Sequence, residues 1–303
     1  MEQFSTTDAA LSGFRLVREH LKTVGTWAAI MAVVSFVIAL IAVTSFGTQL
    51  AALLEVSSQT TPDPEQTMAA MRSMWPLFLG SMVYVLVLNS VLMAGVNRLI
   101  LRPQDSVGAY LRLGGDELRQ AGVQIVVNLV LFAAYFVAVI VAAVIVGIGV
   151  AIGGTPLGVL LGVAAGVGVV SLLIFLAVRL SLTSALAFET RRIDLRAAWA
   201  LTKGQFWPLF GAYFIALILA AVVYLLLMVI IAAVAMVMGG GLAAAGDTLH
   251  KDIESLSTLL TPSGVVRSLL SGLMSVLLSL IVFAPAPTIY AQLRGRNVTD
   301  TFA

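Results

Sequence analysis

The sequence predicts an all-α polytopic membrane protein, with six transmembrane helices and short cytoplasmic amphipathic interfacial helices between them. Three observations carry the prediction. The 303 residues are 60% apolar and only 11% charged, against roughly 25% charged in a soluble globule, so too few polar groups exist to cover a water-facing surface. Six apolar stretches each supply the roughly 20 residues that a helix needs to cross about 30 Å of hydrocarbon. Finally, 14 of the 17 Lys and Arg residues fall in alternate gaps between those stretches, as happens when basic loops stay on the cytoplasmic side during insertion. Both termini are therefore expected in the cytoplasm.

The first 23 residues are polar and amphipathic with no small-residue cleavage site, so no removable signal peptide is expected there. Leu11, Phe14, Val17, Leu21 and Val24 recur at spacings of three or four, with Arg15, Arg18, Glu19 and Lys22 off that stripe. This predicts an amphipathic helix over about 8–23, lying along the membrane surface. The first span follows over 24–46. In the outer segment 47–74, Asp63 as cap, Pro64 in the first turn and Gln66 as capping-box partner predict a helix that begins outside the bilayer and leads into the second span, 75–97. Met68, Met71 and Met74 read as packing residues, since no Cys or His stands beside them to complete a metal site.

The second basic gap holds Arg98, Arg102, Arg112 and Arg119. Asp105 or Ser106 is expected to cap a second interfacial helix carrying Val107, Tyr110 and Leu111, stopped by Gly114 and Gly115. Asp116 and Glu117, in the string GGDE, read as a solvated, charge-balanced face. Spans three and four, 121–149 and 156–178, follow. Gly154, Gly158, Gly162 and Gly166 recur at every fourth position and predict a helix face shaped for close packing, with span three the natural partner; contact with a second copy satisfies the same pattern. Asn89, Gln124 and Asn128 read as interhelical hydrogen-bonding groups or, alternatively, as the lining of a polar cavity.

The third basic gap contains Arg179, Arg191, Arg192, Arg196 and Lys203. Here Asp194 is the expected cap, Leu195, Ala198, Trp199 and Thr202 form the apolar stripe, and Gly204 is the stop. The fifth span covers 206–237 and the sixth 264–288, where Ser271, Ser275 and Ser279 share a face. In the outer loop between them, His250, Asp252 and Glu254 match no compact metal spacing. Arg294 and Arg296 close the pattern, and the sequon Asn297–Val298–Thr299 falls on the predicted cytoplasmic side, where it is silent. Setting Phe14, Tyr110 and Trp199 opposite one another aligns Gly115 with Gly204 and Gly122 with Gly211. The chain then reads as three copies of one interfacial helix plus two spans, although apolar helices also resemble one another by composition alone.

Little here points to catalysis. With two His, no Cys, no HExxH, no serine elbow and no GxxxxGK, the usual acid, base, nucleophile and metal templates are unfilled, so neither an enzyme nor a cofactor is expected. No titratable pair lies within the spans, which argues against proton-coupled transport. Membrane phospholipid is the expected partner, together with a soluble or membrane protein or a second copy of the chain; nucleic acid is not.

Two strings, RLILRPQDSVGAYLRLGGDELRQ from Arg98 to Gln120 and RLSLTSALAFETRRIDLRAAWALTKGQFWPLFGAYF from Arg179 to Phe214, together with the tail APAPTIYAQLRG, resemble the bacterial six-span proteins of the glycerophosphoryl diester phosphodiesterase membrane-domain family. The resemblance covers roughly residues 95–295. It carries over no catalytic residue, because the His, Glu and Asp pairs of the phosphodiesterase barrel have no counterpart here, and it implies similarity to stand-alone members. The positions that match the family pattern are Arg102, Pro103, Tyr110, Arg179, Trp199, Thr202, Gly204 and Trp207. By that resemblance the arginines are expected at head-group phosphates, the tryptophans in the aromatic belt, and Gly204 at a helix stop. Arg98, Arg102, Arg179, Arg191, Arg192, Trp199 and Trp207 are thus the candidates for lipid or interface contact. The resemblance implies a bacterial inner-membrane location, and the expected role is a non-catalytic accessory or scaffold that engages anionic phospholipid or a soluble partner in envelope or lipid metabolism; the alternative is a transporter or lipid translocator.

Overall fold

The computed structural model describes residues 4–58, 63–239 and 259–295. These residues are helical almost throughout, in the order α1 (Thr6–Ala10), α2 (Ser12–Glu19), α3 (Leu21–Ser58), α4 (Pro64–Ser73), α5 (Trp75–Leu101), a 3-10 turn (Val107–Tyr110), α6 (Gly115–Leu180), α7 (Thr183–Thr190), α8 (Leu195–Leu201), α9 (Phe206–Gly239), α10 (Pro262–Phe283) and α11 (Pro285–Leu293). Five helical runs are long and apolar enough to cross a membrane. His250, Lys251, Asp252, Glu254, Arg296 and the sequon lie outside the described residues.

The N-terminal amphipathic segment is two helices rather than one, divided at Leu11. Its inward face also differs from the expected stripe. Leu11, Phe14 and Leu21 are exposed, whereas Ser12, Gly13 and Leu16 are buried. The reason is Gly13: a Cβ there would lie 2.7 Å from the backbone Cα of Ile281, so the missing side chain lets α2 sit directly on the backbone of α10. At the other end of the long helices, Asp63 caps α4 by accepting from the Glu65 amide at 3.0 Å, and Pro64 opens the helix. Met68 and Met71 are exposed on α4, so the packing read from the lack of Cys or His beside them is not seen there.

Helix α6 spans 66 residues, which as one rod would measure roughly 100 Å at 1.5 Å per residue. It is broken instead at Gly154, whose φ of 69° and ψ of −170° define a conformation essentially confined to glycine. Beyond the break, a Cβ on Gly162 would lie 3.7 Å from Cγ2 of Val146, and one on Gly158 would overlap Val150. Residues 146 and 162 would be about 24 Å apart along a continuous helix, so the chain reverses at Gly154 and its two arms run side by side.

The remaining helices gather around α10, which packs on α3, α9 and α2. A Cβ on Gly272 of α10 would stand 2.8 Å from the carbonyl carbon of Met31 and closer still to the Ala32 backbone, so α3 and α10 cross in backbone contact. The buried core lies towards the basic end of the bundle. It joins Leu16, Trp27, Leu99, Phe188, Ala198, Leu280 and Tyr290 from seven different helices, while most side chains in the middle of both α6 arms are exposed or half-buried. At the end of α10 the chain breaks at Ala284 and restarts with Pro285 as α11. Prolines at 285 and 287 lack the amides needed to continue the ladder, so residues 264–288 are not one straight segment.

Candidate functional site

The expected second interfacial helix is absent. Residues 107–110 form a single 3-10 turn in which Gly108, Ala109 and Tyr110 all have positive φ, of 65°, 52° and 66°. Non-glycine residues pay for that conformation, and two donors hold it in place. The Trp27 indole donates to the Ala109 carbonyl at 2.6 Å and the Arg98 guanidinium to the Tyr110 carbonyl at 2.5 Å. The Tyr110 hydroxyl in turn donates to the Pro103 carbonyl at 2.7 Å. Burial, with the neighbouring charge of Asp105, raises the Tyr110 pKa above 10.0.

The same turn brings carboxylates onto Arg98. This arginine is only 1% exposed and donates to Glu117 at 2.8 Å and to Asp116 at 3.4 Å. Asp116 also accepts from Arg119 at 2.8 Å, and Asp105 pairs with Arg112. Burial works to raise the Asp116 pKa, but the hydrogen bonds from Arg119 and Arg98 and the charges of Arg98 and Arg102 outweigh it and hold the group below its ordinary 3.8. Asp116 and Glu117 are therefore an internal counter-charge rather than a solvated face; Glu117 is 5% exposed. Arg98 is turned inward onto these carboxylates. Arg102, half-buried, donates to the Phe188 carbonyl at 3.2 Å and lies over the Phe188 ring at 4.7 Å.

Phe188 belongs to α7, a buried helix inside what the charge pattern marked as a loop. Ser184 of α7 joins three elements: it accepts from Asn97 at 2.9 Å and donates to Gln120 at 2.8 Å, and Gln120 donates back to the Ser184 carbonyl at 3.1 Å. The uncharged run Ser181–Phe188 was the available signal for this helix.

Beyond α7, residues 194–204 of the third basic gap fold as their sequence suggests. Asp194 caps α8 by accepting from the Ala197 amide at 2.9 Å, and Gly204 ends the segment at φ 79°. Arg179, in the last turn of α6, is 6% exposed and lies 4.4 Å over the Trp199 ring. Thr202 donates to the Arg179 carbonyl at 3.0 Å. Arg191, Arg192, Arg196 and Lys203 are exposed, and no carboxylate lies within ion-pair distance of them among the described residues. Trp199, 36% exposed, lies within that stretch and Trp207, 75% exposed, just beyond it.

Of the glycine series, Gly154 makes the reversal, Gly158 and Gly162 face the opposing arm, and Gly166 has open space beside it. Gly149 and Gly153 complete the contact from the other side, against Leu161 and Leu157. Farther from the turn the arms part around an apolar groove of about 660 Å³, lined by residues such as Ala134, Ala138, Ala142, Ala165 and Leu172. The in-membrane amides do not converge on it. Gln124 donates to Ser90 at 2.9 Å, Asn89 is half-buried and Asn128 is exposed. Among the described residues no three His, Asp or Glu side chains group as metal ligands.

Comparison with protein families, with curated proteins and with solved structures finds no match for this chain.

Proposed function

We propose that this chain is a non-catalytic bacterial inner-membrane protein, with six crossings and both termini in the cytoplasm, that holds anionic phospholipid at its cytoplasmic rim as an accessory or scaffold in envelope or lipid metabolism. The observation that carries this reading is the charge left over on residues 191–203. The cations of 98–119 are largely consumed by Asp105, Asp116 and Glu117, whereas Arg191, Arg192, Arg196 and Lys203 stay exposed and without carboxylate partners. Each cation near an anionic leaflet adds about 1 kcal/mol of attraction, and Trp199 and Trp207 suit the head-group belt.

Six crossings follow if the two arms of α6 traverse the bilayer separately. The three-unit organisation fits α1–α2 before α3 and α8 before α9, with the middle interfacial helix reduced to the turn at Val107–Tyr110. Membership of the glycerophosphoryl diester phosphodiesterase membrane-domain family belongs to the same proposal, supported by the strings around Arg98 and Arg179.

The test is lipid enrichment. Wild type and the variant R191Q/R192Q/R196Q/K203Q are placed in mixed phosphatidylglycerol–phosphatidylcholine membranes, extracted gently, and their co-purifying lipids counted. The expected result is a salt-sensitive preference for phosphatidylglycerol in the wild type that the variant loses with its thermal unfolding unchanged. Equal preference in both proteins would overturn the proposal.

A further inference from the structure

Arg98 and Arg179 occupy equivalent places, the last turns of α5 and α6, and both are withdrawn from solvent. They differ in what neutralises them. Arg98 has Glu117 at 2.8 Å and the Tyr110 carbonyl at 2.5 Å. Arg179 has no hydrogen-bond acceptor and no carboxylate within ion-pair distance among the described residues, and its enclosed Nε is unsatisfied. Stacking on Trp199 and the negative end of α6 offset part of the cost of burying this charge, but neither fills a guanidinium's hydrogen-bonding fork. Nε is enclosed without a partner, whereas the terminal nitrogens, likewise without an acceptor among the described residues, keep a small accessible surface in a residue that is 6% exposed.

The surroundings specify what could complete that fork. Lys203 adds a second, exposed cation next in sequence to Thr202, whose hydroxyl is fixed to the Arg179 carbonyl at 3.0 Å. Phe175 contacts both Trp199 and Phe206, at 5.8 and 5.4 Å between ring centroids. From Phe206 a ladder of stacked rings descends α9, Phe206 to Phe210 at 5.9 Å and Phe210 to Phe214 at 5.7 Å, away from the basic rim and into the apolar helix. A cationic fork above an apolar aromatic track matches an amphiphile whose phosphate and hydrocarbon are joined end to end. Paired oxygens of a phosphodiester suit the bidentate geometry of a guanidinium.

We infer that Arg179, seated on Trp199, binds the phosphodiester of one phospholipid molecule, with an acyl chain lying along Phe206, Phe210 and Phe214. This rests on the proposed placement of the 191–203 rim at the cytoplasmic head groups, and it adds a one-to-one site to the diffuse attraction of the exposed cations.

Native mass spectrometry of the full chain, released from phosphatidylglycerol–phosphatidylcholine nanodiscs at low and high salt, separates the two ideas. The wild type should keep one phospholipid at high salt, and R191Q/R192Q/R196Q, which leaves Lys203 beside the site, should lose most of the salt-sensitive enrichment while keeping that tight lipid. R179Q should lower the tightly bound fraction at least tenfold while keeping the salt-sensitive enrichment. If R179Q fails to fold, R179K is read in the same way, since it retains the charge and loses the fork. Undiminished tight lipid in the folded Arg179 variant would overturn the site and leave the broader proposal standing, whereas unchanged enrichment in the triple variant would overturn the broader one. Displacement of the lipid by millimolar inorganic phosphate or glycerol phosphate would assign the fork to a free phosphate compound and so overturn the lipid assignment.

Discussion

The indole nitrogen of Trp27 lies 2.6 Å from the carbonyl oxygen of Ala109, a hydrogen bond between residues 82 positions apart. Trp27 is fully buried in the first long helix, and Ala109 stands in the left-handed region at φ 52°. The bond thus clamps a strained turn to the bundle core, and it is the turn that delivers Asp116 and Glu117 to Arg98. Replacing Trp27 with Phe should leave the Ala109 carbonyl without this donor at a cost of about 1–3 kcal/mol. A109G should instead relieve the turn and stabilise the protein by about 1 kcal/mol. Unfolding of both variants in detergent checks this, and a destabilised A109G would contradict the strain.

The Arg98–Glu117 pair is buried on both sides, with side-chain exposures of 1% and 6%. Removing one member strands the other's charge, so R98Q should cost about 3–5 kcal/mol. The double variant R98Q/E117Q should recover a substantial part of that loss, since two neutral amides can still pair. A double-mutant cycle measures the coupling; additive losses would mean that the pair does not act as a unit.

Asp116 gives the rim an acid limit. Its folded pKa is held below the ordinary 3.8, so its contribution to stability is fully present above that ordinary value and is lost as pH falls through the lower folded value. The Tm of the wild type should therefore fall more steeply than that of D116N between about pH 4 and pH 2. Parallel curves would remove Asp116 from the explanation of acid sensitivity.

Glycine positions separate contact from mere composition. A methyl group on Gly272 would strike the α3 backbone at Met31 and Ala32, so G272A should destabilise by at least about 1–3 kcal/mol as the helices are forced apart. At Gly166 nothing lies within 4 Å, and G166A should be neutral or slightly stabilising. Equal effects at the two positions would show that the α3–α10 crossing is looser than described.

The reversal at Gly154 can be trapped directly. The chain has no cysteine, and the sites of Val146 and Gly162 face each other across the two arms. V146C/G162C should form an intramolecular disulfide under mild oxidation, readable as a shift on non-reducing gels. V146C paired with a cysteine at Val167, an exposed site on the second arm, serves as the control.

What the sequence made legible follows from local physics. Asp63 and Asp194 were readable as caps because a short carboxylate before a helix satisfies free amides within a few residues. Gly204 was readable as a stop, and of the four-residue glycine period Gly158 and Gly162 face the neighbouring arm while Gly166 does not. Features set by distant contacts were not readable. Nothing local reveals that Ala109 and Tyr110 adopt positive φ, so the fold-back that buries Arg98 against Glu117 was hidden and GGDE looked solvated. Gly13 and Gly272 stand alone without a period, yet each marks a backbone contact with a helix far away in sequence. Helix α7 was missed because flanking arginines defined its stretch as a loop, despite nine consecutive uncharged residues, Leu180 to Phe188, between them.

The crossing of Gly272 with Ala32 also constrains how the protein is made. The first long helix packs on α10, which is made about 240 residues later, so at roughly 5–20 residues per second it waits in the bilayer for on the order of tens of seconds with that face unfilled. The α6 arms can pair as soon as they are synthesised, since their contacts are local. Assembly should therefore run from the middle of the chain outward, with the N-terminal helix docking late, and quality-control proteases that survey unpartnered membrane helices should discriminate sharply between chains that stop before α10 and chains that include it.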